Sequence, residues 1–251
     1  MKIFIAGGTS GIGYALAEFY LSVGSEVAIC GRDLSKVPTN GNRNLKIFEA
    51  DVRDYQTLES ALRNFTNDNV GLDVFINCAG SYAEDVAATI SYEEADEMLK
   101  TNIVGCVNCF EVAKSHMINY KNGKIAVIAS VSGIMDYENS SLYTKTKRSV
   151  IQIADAYRRA LQPYGISITT IAPGYVDTQK LRALNNDDLS KKPFIVDLET
   201  ATKIIVDSIE KKEKLVIFPF KMKILMKSLA LLPSFILNRI MFKKAKWMKN
   251  D

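Results

Sequence analysis

The chain has 251 residues, 47% hydrophobic and 24% charged, which is ordinary for a soluble globular protein and enough for one large α/β domain or two small ones. Internal repeats and low-complexity tracts are absent from the sequence, which excludes repeat and fibrous architectures. The net charge of +4 is uneven, because residues 211–251 hold eleven lysines and arginines against two acids and carry +9, whereas residues 1–210 carry −5. The basic segment indicates either an anionic surface as partner or a solvated tail, and we expect no nucleic-acid partner.

The cysteines and the first residues of the chain indicate in which cellular compartment the protein is expected. Cys30, Cys78, Cys106 and Cys109 lie in apolar segments, which is typical of buried thiols in a reducing compartment. The apolar run at residues 3–6 is too short for a secretory signal, so we expect a cytoplasmic protein. Cys106 and Cys109 have the spacing of half a zinc site without a second pair, so no metal is expected, and His116 is interpreted as an ordinary helix-end residue.

Residues 1–30 have the pattern of a βαβ unit. A strand is predicted at residues 2–6, a glycine turn at 7–13, a helix at 14–23 and a second strand at 26–30. Glycines let a backbone approach a pyrophosphate closely, and a helix N-terminus offers it unpaired N–H groups. This order therefore indicates a dinucleotide site at the start of the chain.

The end of the second strand bears on cofactor choice. An acidic residue near this point would hold the ribose 2′-hydroxyl of NAD, whereas an arginine accommodates the 2′-phosphate of NADP. Gly31 stands where the acid is expected and Arg32 follows it, so the sequence favours NADP(H) and leaves NAD(H) possible. The alternative interpretation makes Arg32 a surface charge and Asp33 the cap of the next helix.

The middle of the chain continues the alternation. Strands are predicted at residues 45–50, 72–76 and 124–129, with helices at 54–65 and at about 91–120, where Ser91 and Glu94 have the spacing of a capping box. The last two strands end in turns at 77–80 and 130–133, on the edge where α/β sheets bind ligands. Asn102 lies inside the second helix although asparagine forms helices poorly, which indicates either a functional role or a structural amide holding a neighbouring backbone.

Tyr143 and Lys147 stand four residues apart in a helix predicted at about 140–162, so both side chains lie on one face. A lysine cation beside a phenol lowers the phenol pKa from about 10. Such a phenol can give a proton to a carbonyl oxygen or take one from an alcohol. Taken alone, the pair also fits a solvated helix face. Ser130, thirteen residues before Tyr143 at a strand end, is its candidate partner.

A sixth strand at 166–171, a helix from Asp197 or Thr200 to about 211 and a strand at 215–218 complete the pattern. The alternation predicts an α/β protein with a doubly wound parallel sheet, the Rossmann fold, in a single domain. We predict a nucleotide-binding and catalytic domain at 1–218 and a helical, basic and apolar C-terminal extension at 219–251.

Five motifs in register over residues 1–180 resemble the short-chain dehydrogenase/reductase family. They are the glycine turn Gly7–Gly13 with Ala6 in place of a threonine, the pair Asp51-Val52, the turn Asn77-Cys78-Ala79-Gly80 with Cys78 in place of an asparagine, the set Asn102, Ser130, Tyr143 and Lys147, and the segment Pro173-Gly174 with Thr178. The chain departs from the family after residue 218, where about thirty apolar and basic residues replace the usual Gly-Gly turn.

The resemblance implies an oxidoreductase that transfers a hydride between a nicotinamide and a carbonyl or alcohol carbon. Tyr143 would protonate the nascent alkoxide, Lys147 would lower its pKa and bind the nicotinamide ribose, and Ser130 would donate to the carbonyl oxygen. Asn102 would hold a water that relays protons to Lys147. The implied cofactor-binding residues are Gly7, Thr9, Ser10, Gly11, Ile12, Gly13, Arg32, Asp51, Val52, Asn77, Ala79, Gly80, Tyr143, Lys147, Pro173, Gly174, Val176 and Thr178.

Residues 178–196 should form a lid, whose apolar members favour a small apolar ketone or aldehyde as substrate. The longest uncharged run of the extension, residues 228–238, is shorter than the roughly twenty residues that span a bilayer. Two short amphipathic helices broken at Pro233 fit a membrane interface, packing on the body, or a contact in the homo-oligomer that we expect. The alternatives to a reductase of free substrate are a peripheral-membrane reductase of a lipid-linked ketone and a non-catalytic dinucleotide-binding regulator.

Overall fold

The structure, a computed structural model, describes residues 1–35, 37–38, 41–66, 71–83, 90–138, 140–233 and 235–240. The strands of these residues are β1 (Lys2–Ala6), β2 (Glu26–Gly31), β3 (Leu45–Glu49), β4 (Val74–Asn77), β5 (Gly123–Ile128), β6 (Ile166–Pro173) and β7 (Leu215–Phe218). They form one parallel sheet in the order β3-β2-β1-β4-β5-β6-β7. The helices are α1 (Gly11–Ser22), α2 (Tyr55–Thr66), α3 (Tyr92–Leu99), α4 (Gly105–Met117), α5 (Leu142–Leu161), α6 (Gln179–Ala183), α7 (Leu198–Glu210) and α8 (Phe220–Ala230).

The core lies on both faces of the sheet. Side chains alternate along β1, so that Ile3 and Ile5 pack towards α1 and α7 while Phe4 packs towards α2 and α4. Phe4 also stacks on Phe75 of β4, with 5.4 Å between ring centroids. A strand covered on both faces needs a continuous apolar run, which is why β1 shows no polar alternation. The predicted doubly wound parallel sheet is confirmed.

The order of the strands reverses at β1, which pairs with β2 on one side and β4 on the other. Two turns leave the sheet at this point. Gly7 N–H donates to the Cys30 carbonyl at 2.9 Å, and Cys78 N–H donates to the Ala6 carbonyl at 2.8 Å. In sheets of this kind a crevice opens at the carboxyl ends of the strands where the order reverses. The glycine turn after β1 and the turn after β4 therefore both line that crevice.

The helix predicted at 91–120 is divided. The capping box of Ser91 and Glu94 is confirmed, and α3 ends at Leu99. A π-helical segment, Lys100–Val104, then joins α3 to α4 and carries Asn102. A π segment widens the helix by one residue per turn and so shifts the side chains that follow it. Periodicity alone predicted one continuous helix and missed this interruption.

The helix of Tyr143 and Lys147 is confirmed as α5, with Ser141 as its N-cap accepting from Thr144 N–H at 3.2 Å. The predicted choice between Asp197 and Thr200 resolves to Asp197, whose side chain caps α7 and accepts from Thr200 N–H at 2.7 Å.

The C-terminal extension folds back on the domain. Its first helix is α8, and residues 235–240 form a further helical stretch after Pro233. Met222, Met226 and Leu237 are buried against Met135. The two predicted helices and the break at Pro233 are confirmed, whereas Trp247 lies outside the described residues. None of the helices in the described part of the chain is long and apolar enough to cross a membrane.

Candidate active site

The glycine turn is shaped by close backbone contacts. Gly7 has a φ of +71°, and a Cβ there would lie 2.6 Å from the Ala79 nitrogen. A Cβ on Gly13 would overlap the Gly7 carbonyl oxygen. Both positions therefore require glycine. The turn between β1 and α1 is held against the turn that follows β4.

The first turn of α1 fits a pyrophosphate. Ser10 is the N-cap, but its side chain makes no capping hydrogen bond, and the first turn of the helix holds no acidic residue. Gly11 has a φ of +54°, and a Cβ there would meet only the Thr178 side chain, at 3.7 Å. Unpaired N–H groups at a helix N-terminus bind anions, and here they border open space. Gly7 to Gly13, with Thr178, are thus the residues that would hold the phosphates.

The end of β2 has no room for an acidic side chain. A Cβ on Gly31 would lie 2.8 Å from the Thr9 Cγ2 atom, so Thr9 occupies the space that an aspartate at residue 31 would need. Arg32 follows, and its Nη1 donates to Glu97 Oε1 at 2.7 Å. The predicted arginine therefore lies at the predicted place, but it is bound to a carboxylate that the sequence pattern did not indicate.

Glu97 connects two arginines. Besides Arg32 it binds Arg53, whose guanidinium also donates to Asp51 Oδ2 at 2.6 Å. Burial raises the pKa of Asp51, but the hydrogen bonds from Arg53 outweigh it and hold that pKa below its usual value. The predicted pair Asp51-Val52 thus lies beside a cluster of two cations and two anions, and Val52 is buried in the core.

Ser130 ends the loop after β5 and faces Tyr143. Its Oγ accepts from Ser132 N–H at 3.2 Å and from the Ser132 hydroxyl at 3.0 Å. The Ser130 hydroxyl is also hydrogen-bonded to the Tyr143 phenol. With two donors on its oxygen, Ser130 is left to point its own proton towards Tyr143 or a bound carbonyl.

Lys147 is buried and Tyr143 is half-buried beside it. Burial raises the pKa of Tyr143 to about 12, and the Ser130 hydrogen bond offsets part of that rise. Burial also lowers the pKa of Lys147 to about 8. Lys147 Nζ lies 5.9 Å from the Tyr143 ring centroid and donates to the Ile128 carbonyl at 3.0 Å. The net pKa of Tyr143 thus lies above that of a free phenol, because loss of water is the largest contribution. The expected lowering of this pKa by Lys147 stays a prediction.

The Asn102 side chain makes three hydrogen bonds to neighbouring segments. Its Oδ1 accepts from Ser81 N–H at 2.9 Å, and its Nδ2 donates to the Ser81 carbonyl and to Thr146 Oγ1, each at 3.0 Å. The amide thereby joins the π segment to the turn after β4 and to α5. These bonds match the structural-amide alternative, and they use the side chain that the resemblance assigned to a water relay.

The turn after β4 adjoins Lys147. Asn77 Oδ1 accepts from Ala79 N–H at 3.0 Å, which closes the turn. A Cβ on Gly80 would lie 3.2 Å from Lys147 Nζ, so glycine leaves space for the ammonium. On the other side of the crevice, Gly174 N–H donates to the Phe218 carbonyl at 2.8 Å, which fixes the backbone after Pro173. The Val176 side chain is buried in the core, so only its backbone is available to a ligand.

The described residues contain no cluster of three or more histidine, cysteine, aspartate or glutamate side chains. All four cysteines are free thiols, and burial raises the pKa of the Cys30 and Cys106 thiols to about 12. His116 stands in the last turn of α4, with its Nδ1 3.2 Å from Thr66 Oγ1. Its position is that of a helix-end residue.

A family model described as short chain dehydrogenase matches residues 1–189. The chain belongs to the short-chain dehydrogenase family. The predicted resemblance is thereby confirmed, and the protein is an oxidoreductase of that family.

Curated relatives of this short-chain dehydrogenase include an uncharacterized oxidoreductase of Staphylococcus aureus strain MW2, 29% identical over 191 residues, 74% of this chain and 83% of the relative. Another, from Staphylococcus epidermidis, is 27% identical over 177 residues, 69% of this chain and 77% of the relative. Among solved structures, ElxO with NADP bound has a TM-score of 0.76 at 24% identity and covers 86% of this chain and 96% of its own. A short chain dehydrogenase from Burkholderia cenocepacia in complex with NADP has a TM-score of 0.79 at 17% identity and covers 92% of both chains.

Three residues of this short-chain dehydrogenase lie at the site without having been predicted there. The Tyr82 ring contacts the Tyr143 ring edge to face, with 5.0 Å between centroids. Tyr175 follows the Pro173-Gly174 segment and packs with the extension. Lys180 Nζ, on α6, donates to the Gly80 carbonyl at 3.3 Å and so joins the two walls of the crevice. Tyr82 and Tyr175 each stand within two residues of a family motif, which is the only signal that could have found them.

Proposed function

We propose that this short-chain dehydrogenase interconverts a ketone or aldehyde and the corresponding alcohol, with Tyr143 as the general acid and base. The carrying observation is the position of a buried Lys147 beside the half-buried Ser130 and Tyr143, at the carboxyl edge of the sheet that also carries the glycine turn. A nicotinamide dinucleotide, when bound, supplies or accepts the hydride. The residues that fit its phosphates are those of the glycine turn, and Lys147 stands where a ribose hydroxyl could replace the Ile128 carbonyl as its acceptor.

The chain itself moves the proton. A phenol with a pKa near 12 is fully protonated at neutral pH and is therefore competent as an acid. As it loses that proton to the carbonyl oxygen, the Lys147 ammonium stabilises the phenolate in a site with little water. Ser130 donates to the same oxygen, because its lone pairs are already engaged by Ser132. General acid catalysis of this kind contributes roughly 10²–10⁴-fold in rate.

The test is Tyr143→Phe. Tyr164→Phe is the matched control, because Tyr164 is an exposed phenol just after the C-terminal end of α5, whereas Tyr143 lies near the start of that helix. We expect Tyr143→Phe to lower kcat by at least roughly a hundredfold while NADPH still binds, and the control to keep full activity. Consumption of NADPH and NADH is measured against ketones of increasing chain length. Near-normal turnover by Tyr143→Phe would remove Tyr143 from this role, and binding of NADPH by a wild type without turnover would favour the non-catalytic regulator.

We infer a preference for NADP(H) over NAD(H). It is supported by Arg32 at the end of β2, by the absence of space for an acid at Gly31, and by Arg53 on the same cluster. Two solved neighbours are described as holding NADP, which agrees with this preference. Arg32→Ala should raise KM for NADPH by roughly tenfold and leave KM for NADH within about twofold, since only NADPH carries the 2′-phosphate. Equal effects on both cofactors would make Arg32 a surface charge.

We infer an apolar carbonyl substrate. The Tyr82 ring contacts the Tyr143 ring, and Tyr175 lies near enough to Tyr143 to affect its pKa. Aromatic rings bind apolar and aromatic groups well and gain little from a carboxylate or phosphate. In the ketone series, kcat/KM should rise with chain length. A kcat/KM that does not change with chain length would contradict an apolar substrate.

A further inference from the structure

The extension has two apolar faces. The inner face consists of Met222, Met226 and Leu237, which are buried against Met135. The second set, called the outer face here, is the group of exposed apolar side chains on the two helical stretches of the extension: Phe220, Ile224, Leu231, Phe235 and Ile240. Positions 220, 224 and 231 share one side of the α8 direction because they are separated by whole numbers of helical turns. Both sides of a short helix are thus apolar, although only one packs on the protein.

The outer face is large for a surface feature. Phe220 and Phe235 are each 72% exposed and Leu231 is 86% exposed. Single exposed apolar side chains are common on proteins, but five of them within residues 220–240 are a feature of interaction surfaces. The outer face is therefore the best candidate for an interaction surface among the described residues.

The described charged side chains of the extension itself are all positive. They are Lys221, Lys223, Lys227 and Arg239, and in the described part of the chain none of the four makes an ion pair. Lys227 lies between Ile224 and Leu231 on the outer side of α8. The sequence has no acidic residue between Glu213 and Asp251. A second copy meeting the same face would place cations opposite cations, which is unfavourable. An anionic partner with an apolar interior satisfies both properties of the face.

We propose that residues 220–240 dock the protein on the surface of a bilayer that contains anionic lipid. The apolar side chains of the outer face enter the boundary between headgroups and acyl chains, and the flanking cations contact the headgroups. The extension lies along the surface, since no described helix is long and apolar enough to cross it.

The position of the extension gives this docking a consequence for the crevice. Met222 lies 3.4 Å from where a Cβ on Gly174 would stand, and the inner face packs on the turn Val131–Ile134 that follows Ser130. Docking would therefore bring the substrate side of the crevice to the lipid surface. Resting on the proposed function, this selects carbonyl compounds dissolved in the bilayer as the substrate class.

The experiment is flotation of the full-length protein with vesicles of phosphatidylcholine, with and without phosphatidylglycerol, at low and high salt. We expect flotation with the anionic vesicles at low salt and its loss with phosphatidylcholine alone or at high salt. Lys221→Gln with Lys227→Gln should lower the partition coefficient roughly thirtyfold, because each basic residue near such a surface contributes about fivefold. Lys46→Gln with Lys121→Gln, exposed lysines away from the extension, is the control and should not change it.

A second variant tests the apolar contribution. Phe220→Ser, Ile224→Ser and Phe235→Ser together should lower partitioning at least about tenfold. Val23→Ser with Tyr92→Ser removes exposed apolar surface elsewhere and should have no effect. Tyr143→Phe should float like the wild type, so failure of the catalytic proposal does not affect this one. Three results would overturn the docking. The first is a wild type that does not float at low salt, and the second is an outer-face variant that floats as well as the wild type. The third is a wild type that binds no vesicles but forms a dimer, when the outer-face variant is a monomer.

Discussion

The two ends of the crevice differ in how their charged side chains are paired and solvated. At the proposed nucleotide end, made by the glycine turn and the Arg32 cluster, the charged side chains are partly solvated and form ion pairs with one another. At the proposed proton-transfer end, made by Ser130, Tyr143 and Lys147, a buried ammonium donates to a backbone carbonyl. At the first end burial raises the pKa of Asp51 but hydrogen bonds from Arg53 outweigh it, whereas at the second end loss of water raises the pKa of Tyr143 and lowers that of Lys147. Each of the following predictions tests one side of that contrast.

The largest effect is expected from Gly13→Ala at the nucleotide end. The new Cβ would overlap the Gly7 carbonyl oxygen, and a backbone atom cannot move aside cheaply. We expect a loss of about 3 kcal/mol in the free energy of unfolding. Urea unfolding measures it, with Gly24→Ala as the control. Gly24 has a φ of +79° but open space around it, so its cost should be only about 1 kcal/mol. Equal costs would mean that the turn is not fixed by close contact.

At the proposed proton-transfer end, Lys147 should contribute a part of the free energy of unfolding that rises with pH. Its pKa is about 8 in the folded protein and 10.5 in the unfolded chain, so between these values the unfolded chain binds more protons and folding becomes more favourable as pH increases. The rise should total about 3 kcal/mol, and it should begin near pH 8. The raised pKa values of the four cysteines and of Tyr143 act with the opposite sign above their ordinary values of 9.0 and 10.0. The contribution of Lys147 is therefore the difference in stability between the wild type and a variant that lacks this lysine.

Lys147→Met should remove that rise, and it should leave stability at pH 7 equal or higher because an uncompensated buried charge is lost. Lys145→Met, on the exposed side of α5 where its ammonium pairs with Asp136, is the control and should keep the rise. Urea unfolding at several pH values from 7 to about 10 decides the matter. Parallel pH dependence of the stability of the wild type and of Lys147→Met over this interval would contradict the lowered pKa of the buried ammonium.

A smaller effect is expected from Glu97→Gln. Without this carboxylate Arg32 and Arg53 are released towards a 2′-phosphate, and exposed ion pairs of this kind contribute at most about 1 kcal/mol. KM for NADPH should therefore fall about two- to fivefold, whereas KM for NADH should not change. Glu93→Gln on the same helix is the control. A rise in KM for NADPH would show that Glu97 orders the arginines instead of competing for them.

The smallest effect is expected from Lys180→Met. Lys180 is a second cation near Lys147, so its removal should move the midpoint of the pH-dependent stability upward by less than about one unit. The exposed Lys203, paired with Glu199 on α7, provides the control variant Lys203→Met. An unchanged midpoint would mean that burial alone sets the Lys147 pKa.

Local patterns predicted the parts of the site that depend on neighbours along the chain. The spacing of Tyr143 and Lys147 predicts one helix face, and Ser130 is at the site because β5 ends there. Glu97 could not be predicted, because it reaches Arg32 across 65 residues through the packing of α3 against the ends of the strands. The same holds for Tyr82 on Tyr143, whose contact depends on how a loop crosses the crevice.

The protonation behaviour could not be predicted either. The sequence places a cation beside a phenol, and Coulomb attraction alone would lower the phenol pKa. Burial reverses that result, and burial is a property of the folded crevice and not of the spacing. The extension shows the same limit. Its periodicity predicted two helices, but only the contacts of Met222 and Met226 with Met135 established which face is turned inward.

The contact between Thr9 and Gly31 makes these two positions interdependent in evolution and in engineering. A change of cofactor preference through Gly31→Asp requires Thr9 to become smaller first, because the two side chains would occupy the same space. The order of the substitutions is therefore constrained. Thr9→Gly creates the space that an aspartate at residue 31 needs, whereas Gly31→Asp made first would clash with Thr9. Mutant libraries that vary either position singly would miss the functional combination, which exists only as a pair.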